Sequence, residues 1–170
     1  MPAWQTPTVH ATGDIFAVND NNILANNETF LYQAPYASYY NNAVCSVANV
    51  TNTQVTLTGL TFSNYGASIT SNAIAVPLTG IYQIHFRVGF ASASSGGGYS
   101  WVTQNGTQAI VGSDSTFATA GGRHSNGSGL LSCNSGDLVA LWCYQSSGST
   151  INTVIGAAWT ALEISFRGSV

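Results

Sequence analysis

Between Gly80 and Ala91 the chain alternates without a break. Tyr82, Ile84, Phe86, Val88 and Phe90 take every second position, with Gln83, His85, Arg87, Gly89 and Ala91 between them. Side chains on a strand point alternately to opposite faces, so this period of two predicts a central strand with one wholly apolar face. The other face is small or polar and carries two of the chain's few titratable groups. The same alternation returns over 137–145, where Val139, Leu141 and Cys143 point inward and Trp142 and Tyr144 outward. It returns again in the final strand, over 158–167. There Thr160, Leu162, Ile164 and Phe166 face the core, and Trp159, Ala161, Glu163, Ser165 and Arg167 face away.

Shorter runs rich in Val, Thr and Leu predict strands over 44–50, 54–62 and 73–76. Residues 99–104 and 107–111, separated by Asn105-Gly106, form the strongest hairpin signal, because both central positions of that turn favour positive φ. Leu130–Cys133, the turn Asn134-Ser135-Gly136 and 137–145 predict another strand pair, and 151–155 a further strand. Residues 92–98, 113–122 and 146–149 read as loops. About nine or ten short strands with regular turns predict an all-β sandwich or jelly roll.

The first 42 residues follow a different rule. Residues 1–12 hold Pro2, Trp4 and Pro7 and read as an extended arm. After Asp14, a helix cap, Phe16, Ile23 and Phe30 repeat by seven beside Ala17, Leu24 and Leu31. This seam suits a short helix packed against copies of itself or against its own sandwich. Pro35 ends the helix, and 36–42 read as an aromatic and polar connector. The expected division is therefore 1–42, arm and helix for attachment or trimerisation, and 43–170, the β domain.

Charged residues make up only 5% of the 170 residues, with three arginines, six acids and no lysine. Such a balance offers no footprint for nucleic acid and no attraction to anionic membranes. No run is long and apolar enough to insert in a bilayer, and no signal peptide is visible at the start. Scarce charge on a soluble profile points to a surface covered by other subunits or acting as a neutral adhesive face. Cys45, Cys133 and Cys143 lack metal-ligand spacing. Three free thiols are expected, with a bridge from Cys45 as the alternative.

Thr79-Gly80-Ile81-Tyr82 opening a strand, Gly129-Leu130-Leu131 leading into 135–141 (Ser-Gly-Asp-Leu-Val-Ala-Leu), and the closing 160–166 (Thr-Ala-Leu-Glu-Ile-Ser-Phe) resemble the C1q/TNF-like jelly-roll family. The resemblance covers roughly 43–170. It implies a ten-stranded jelly roll assembled as a homotrimer around an inner sheet, and often a calcium ion near the trimer axis, for which no acidic cluster is visible here. Trp4-Gln5-Thr6-Pro7, the Thr12-Gly13 pair and the Asn-rich helix ending in Phe30-Leu31 resemble the opening of bacteriophage and prophage tail or minor structural proteins. Together the two resemblances imply a virion fibre, spike or capsid decoration protein. It would be made in the host cytoplasm, attached through 1–42 to other virion structural proteins, and displayed on the particle surface.

If the strands at 80–91, 137–145 and 158–167 share a sheet, its outer face gathers His85, Arg87, Trp142, Tyr144, Trp159, Glu163 and Arg167. Aromatic residues and arginine are enriched in interfaces, and arginine forks onto carboxylate. This set is the expected trimer interface, with Glu163 pairing across subunits to Arg87 or Arg167; an ordinary solvent face is the alternative. Tyr99, Trp101 and His124, with the loops at 92–98 and 113–128, are candidate contacts for a host cell-surface glycan.

No enzyme is expected. Asp114, His124 and Ser125 supply the residue types of a hydrolase triad, without a strained G-x-S-x-G turn. Asp14, Asp20 and Glu28 read as solvated helix charges. His10, His85 and His124 are scattered, so neither a metal site nor a cofactor is expected.

Overall fold

The eleven-residue alternation forms β7 (Gly80–Phe90), the middle of the fold. In this computed structural model, residues 23–24, 27–28, 34–117 and 123–169 are described. The chain divides into two units, Met1–Ala34 and Pro35–Val170. Of the first unit, Ile23, Leu24, Asn27 and Glu28 are helical, with Ile23 and Asn27 buried and Leu24 and Glu28 exposed. The other seam positions, Phe16 and Phe30, lie outside the described residues.

The second unit is all β. Fourteen strands appear among the described residues, more than expected because several are only two or three residues long. One sheet contains, in spatial order, β11 (Arg123–Cys133), β7, β14 (Ala161–Gly168), β1 (Tyr36–Tyr40) and β4 (Gly59–Ser63). The second contains β10 (Ser115–Thr116), β8 (Gly97–Gln104), β12 (Leu138–Gln145), β6 (Ala73–Ala75) and β5 (Ser68–Thr70). β3 (Thr53–Gln54) adds to β12, and β9 (Thr107–Val111) adds to β8. A two-stranded pair joins β13 (Ile151–Asn152) to β2 (Ser46–Val47). All pairings are antiparallel.

The core lies between the sheets. Tyr82, Ile84, Phe86, Val88 and Phe90 are all buried, as their alternation predicts, and Leu162 and Ile164 of β14 continue the layer. Val102, Val139, Leu141 and Cys143 belong to the same buried cluster on the second sheet. Each large side chain removed from water contributes about 2 kcal/mol. Edge-on ring pairs, Tyr82 with Phe166 at 5.4 Å and Phe90 with Phe117 at 5.5 Å, fill the spaces that branched aliphatics leave. Cys45, Cys133 and Cys143 are free and buried. Burial raises the Cys133 thiol to about 11 and also drives the Cys143 thiol upward.

The Asn105-Gly106 hairpin is present as expected. Asn105 has φ 51° and Gly106 φ 83°, the left-handed pair that a two-residue turn between twisted strands requires.

The strand expected over 54–62 is split between β3 and β4, β5 was not expected, β10 lies in the loop expected over 113–122, and two further departures bear on the site. Residues 36–40 are no connector: they form β1, paired to β14 on one side and β4 on the other. Ala37 and Tyr39 face the core, and Tyr36, Ser38 and Tyr40 take the other side, where Ser38 is also buried, an alternation with little contrast in hydropathy. The jelly roll thus begins at Pro35, with the segment expected to join the two domains built into it.

The strand expected over 130–133 extends back to Arg123 and pairs with β7 along its whole length. Its inward positions are small because the Phe86 ring of adjacent β7 and Ile110 of the opposite sheet lie over them. A Cβ on Gly127 would stand 2.4 Å from the Phe86 ring, and one on Gly129 3.0 Å from Ile110. Ser125, fully buried, accepts from the Ser100 amide at 2.8 Å and donates to the Ser113 carbonyl at 2.5 Å.

Candidate functional site

The outward face of the first sheet is an ordered grid. One row crosses all five strands: Ser128, His85, Glu163, Ser38 and Phe62. The next row holds Asn126, Arg87, Ala161 and Tyr40, and the row on the other side Leu130, Gln83, Ser165 and Tyr36. The centre is polar, and each edge carries an exposed apolar side chain, Leu130 (61% exposed) on the otherwise polar β11 and Phe62 (52% exposed) on β4.

Arg87 organises the middle. Its Nε and Nη2 donate to the Ala157 carbonyl at 2.9 and 2.6 Å, and Nη2 also donates to Glu163 Oε1 at 3.3 Å. This ion pair is half-exposed, so its Coulomb term is weak. The carbonyl bonds contribute more, because they tie β7 to the turn preceding β14. Gly156 makes that turn possible at φ 108°, and its carbonyl accepts from the amides of Trp159 and Thr160 at 3.0 Å each. Gly89 leaves room for the turn over the strand, since a Cβ there would stand 3.2 Å from Val154. Trp159 is thereby laid flat on His124, with ring centroids 4.7 Å apart and planes at 18°.

These residues surround an open hollow of about 530 Å³ that includes His85, Arg87, His124, Asn126 and Glu163. Among the described residues that line it, none is a serine or cysteine paired with a base. Ser125 points to the core while its neighbour His124 points out, so Asp114, His124 and Ser125 do not assemble into a triad.

Of the residues expected at one interface, His85, Arg87, Glu163 and Arg167 share this sheet, and Trp159 stands beside it. Glu163 pairs with Arg87 of its own chain, against the expected pairing of these two across subunits. Arg167 lies four residues beyond Glu163, about 13 Å along the strand, and is exposed. Trp142 and Tyr144 are elsewhere. β12 pairs with β8, β6 and β3, so its outward face belongs to the opposite side of the sandwich. Alternation predicts correctly that both point outward, but it carries no information about which sheet holds the strand.

On that opposite face the aromatic residues form a ladder. Trp142 is directly across from Trp101, and Tyr144 across from Tyr99. The Trp101–Trp142 centroids are 6.2 Å apart, Tyr99–Tyr144 5.1 Å and Tyr99–Trp101 5.4 Å. Trp101 is only 6% exposed, shut between its neighbours, and cannot serve as the ligand contact expected of it. Tyr99 remains partly open, whereas His124 belongs to the other sheet and borders a second hollow that meets the one beside Tyr99 at Asp114–Thr116.

Strand order and the packing of the two sheets can be set beside known structures. Murine APRIL, crystallised at pH 5.0, superposes with a TM-score of 0.60 at 13% identity, covering 79% of this chain and 99% of that one. Eiger TNF from S. frugiperda gives 0.61 at 10% identity, covering 81% and 95%. The fold is a TNF-like jelly roll. No protein-family model matches the chain, and no curated protein matches it. At these identities the likeness concerns the jelly roll alone. The residues missed in the sequence, Phe62 and Leu130, lay in segments whose outward direction became readable only through their cross-strand partners.

Proposed function

We propose that this chain is a non-enzymatic, homotrimeric structural protein of a virion, a bacteriophage fibre, spike or decoration protein, whose jelly-roll head projects from the particle. The observation that carries the reading is the outward face of the β11-β7-β14-β1-β4 sheet. It presents apolar side chains on two opposite edges, Leu130 and Phe62, around a polar centre. A rotationally closed trimer needs unlike patches on its two flanks, because each subunit's one edge meets its neighbour's other edge. TNF-like folds are commonly homotrimeric, which favours three copies over two or four. The hollow over His85 and Glu163 then lies within the assembly, with Arg167 as the cation available to a neighbour. Attachment to other virion proteins falls to the segment before Pro35, as the resemblance of the N-terminal residues implies, since 36–40 belong to the jelly roll.

Light scattering of the full chain tests the assembly: three chain masses are expected, and Leu130→Asp or Phe62→Asp should lower the mass while the far-ultraviolet circular dichroism stays unchanged. A stable lone protomer of the unaltered chain would overturn the trimer. Absence of the chain from gradient-purified particles would overturn the virion role. A receptor-binding head is a second reading, favoured by the aromatic ladder on the far sheet.

A further inference from the structure

At the end of the aromatic ladder the second sheet opens into a hollow of about 430 Å³, bounded by Tyr99 and Tyr144, Gly96–Gly98, Asp114–Thr116 and Ser146. Its origin is a missing side chain. Along β8 the outward positions are 97, 99, 101 and 103. Tyr99 is covered on one side by Trp101 at 5.4 Å, but its neighbour on the other side is Gly97. Across the strands Tyr144 lies against Tyr99, and its next outward neighbour is the small Ser146. The pair of rings therefore ends in an uncovered aromatic wall.

The remaining walls are held in place. The Ser146 amide donates to the Gly97 carbonyl at 2.8 Å, and the Gly97 amide donates to Ser146 Oγ at 3.2 Å. The Phe117 amide donates to the Gly96 carbonyl at 2.8 Å, which fixes 115–117 against the glycine run. Behind the wall, buried Gln145 clamps the 146–149 tip: its Nε2 donates to the Val47 and Ser149 carbonyls at 3.0 and 2.8 Å, and its Oε1 accepts from the Ser147 amide at 2.7 Å. A site tied down by its own backbone loses little ordering entropy when it binds. Asp114 and Thr116, both exposed, supply a carboxylate and a hydroxyl on the opposite wall.

We propose that this hollow binds a neutral pyranose, with one C–H face of the sugar on the Tyr99–Tyr144 wall and its hydroxyls on Asp114 and Thr116. The chemistry selects this class on three grounds. An aromatic ring offers an apolar face to the axial C–H groups of a sugar while its edge stays hydrated. A carboxylate accepts two hydroxyl hydrogen bonds at once and donates none, which suits a vicinal diol. Among the described residues no arginine, lysine or histidine lines this hollow; Arg123 and His124 border the adjoining one across Asp114–Thr116, so the Tyr99–Tyr144 side offers an acidic sugar or a phosphate no direct counter-charge. A quaternary ammonium fits less well, because the two rings, 5.1 Å apart and tilted by 33°, form one wall and leave no gap between them to enclose a cation.

The proposal builds on the receptor-binding reading and occupies the sheet opposite the proposed trimer face, so the two can fail separately. Saturation-transfer NMR on the full chain with a panel of neutral methyl hexopyranosides tests it, with methyl sialoside and tetramethylammonium as charged probes. Transfer is expected to be strongest at the ring C–H protons of one sugar face. Tyr144→Leu and Tyr99→Leu should each weaken binding about tenfold. Tyr144→Phe should retain it, and Asp114→Asn should weaken it about fivefold. Ser146→Tyr, which fills the hollow from an exposed position, should abolish it, and Leu130→Asp should leave it unchanged. Absence of transfer from every neutral sugar, equal binding by the Ser146→Tyr variant, or preference for tetramethylammonium or the sialoside would overturn the proposal.

Discussion

The two outer faces of the sandwich are built on the same alternation and share one core, yet they hold different chemistry. On the first sheet the central outward positions are polar or small, His85, Glu163, Ser38 and Ala161, and the single Arg87–Glu163 pair sits among them. On the second sheet they are aromatic, Tyr99, Trp101, Trp142 and Tyr144, stacked across strands until Trp101 is nearly shut from solvent. A cross-strand aromatic pair contributes about 1 kcal/mol beyond the area it buries. The ladder therefore acts as a second small core on the outside of the domain. The grid of the first sheet stabilises little by itself and leaves its edges free to meet another molecule. One face packs its aromatic residues on one another, and the other leaves Leu130 and Phe62 exposed at its edges.

The contrast can be broken most directly at Trp101. Trp101→Ala should destabilise the fold by about 4 kcal/mol in denaturant melts, as a large-to-small change in a packed site does. His85→Ala, in the equivalent outward register of β7, should shift stability by less than about 0.5 kcal/mol in the isolated protomer. Equal costs would show that the two faces do not differ as described.

A smaller effect is expected at Asp137, which opens β12 on the second sheet. Its Oδ1 accepts from Asn105 Nδ2 at 2.8 Å, and its Oδ2 accepts from the Asn134 amide and Gln104 Nε2 at 2.8 Å each. The carboxylate thus joins the β8–β9 hairpin to the turn that arrives from the first sheet. The Asn105 side chain first, then the Asn134 amide and Gln104, hold its pKa below the ordinary aspartate value. A group depressed in the folded state stabilises fully above its unfolded pKa, and that contribution is lost as pH falls through the folded one. Asp137→Ala should cost about 2 kcal/mol near neutrality. The gap in melting temperature between variant and parent should narrow only below about pH 4. A gap that narrows between pH 5 and 7 would assign the effect to another group.

Arg87 sharpens the first face. Arg87→Met removes both bonds to the Ala157 carbonyl and the partner of Glu163, and should cost about 1.5 kcal/mol. Glu163→Gln, which leaves the carbonyl bonds in place, should cost less than about 0.5 kcal/mol. The reverse order would make the ion pair, and not the turn, the role of that arginine.

Much of the fold was legible because a strand with one buried face records its own direction in the order of its residues. Gly80–Phe90, Leu138–Gln145 and the Asn105-Gly106 turn were readable for that reason. β1 was not, because Tyr36, Ser38 and Tyr40 differ too little in hydropathy from Ala37 and Tyr39. The first half of β11 was not, because close approach of Phe86 and Ile110 replaces apolar inward residues with Gly127 and Gly129. The candidate interface was half legible. His85, Arg87, Glu163 and Arg167 emerged from their strands, whereas Phe62 and Leu130 acquired a face only through Ser38 and Gln83 opposite them.

Inward or outward is decided residue by residue, since the backbone turns each successive side chain to the other side whatever the strand's neighbours are. The sequence therefore determined on its own that Trp142 and Glu163 both point to the outside. Only the tertiary structure decided that they point to opposite outsides. Backbone amides and carbonyls pair with any strand that reaches them, so the choice of neighbour depends on how the whole set of strands encloses one core.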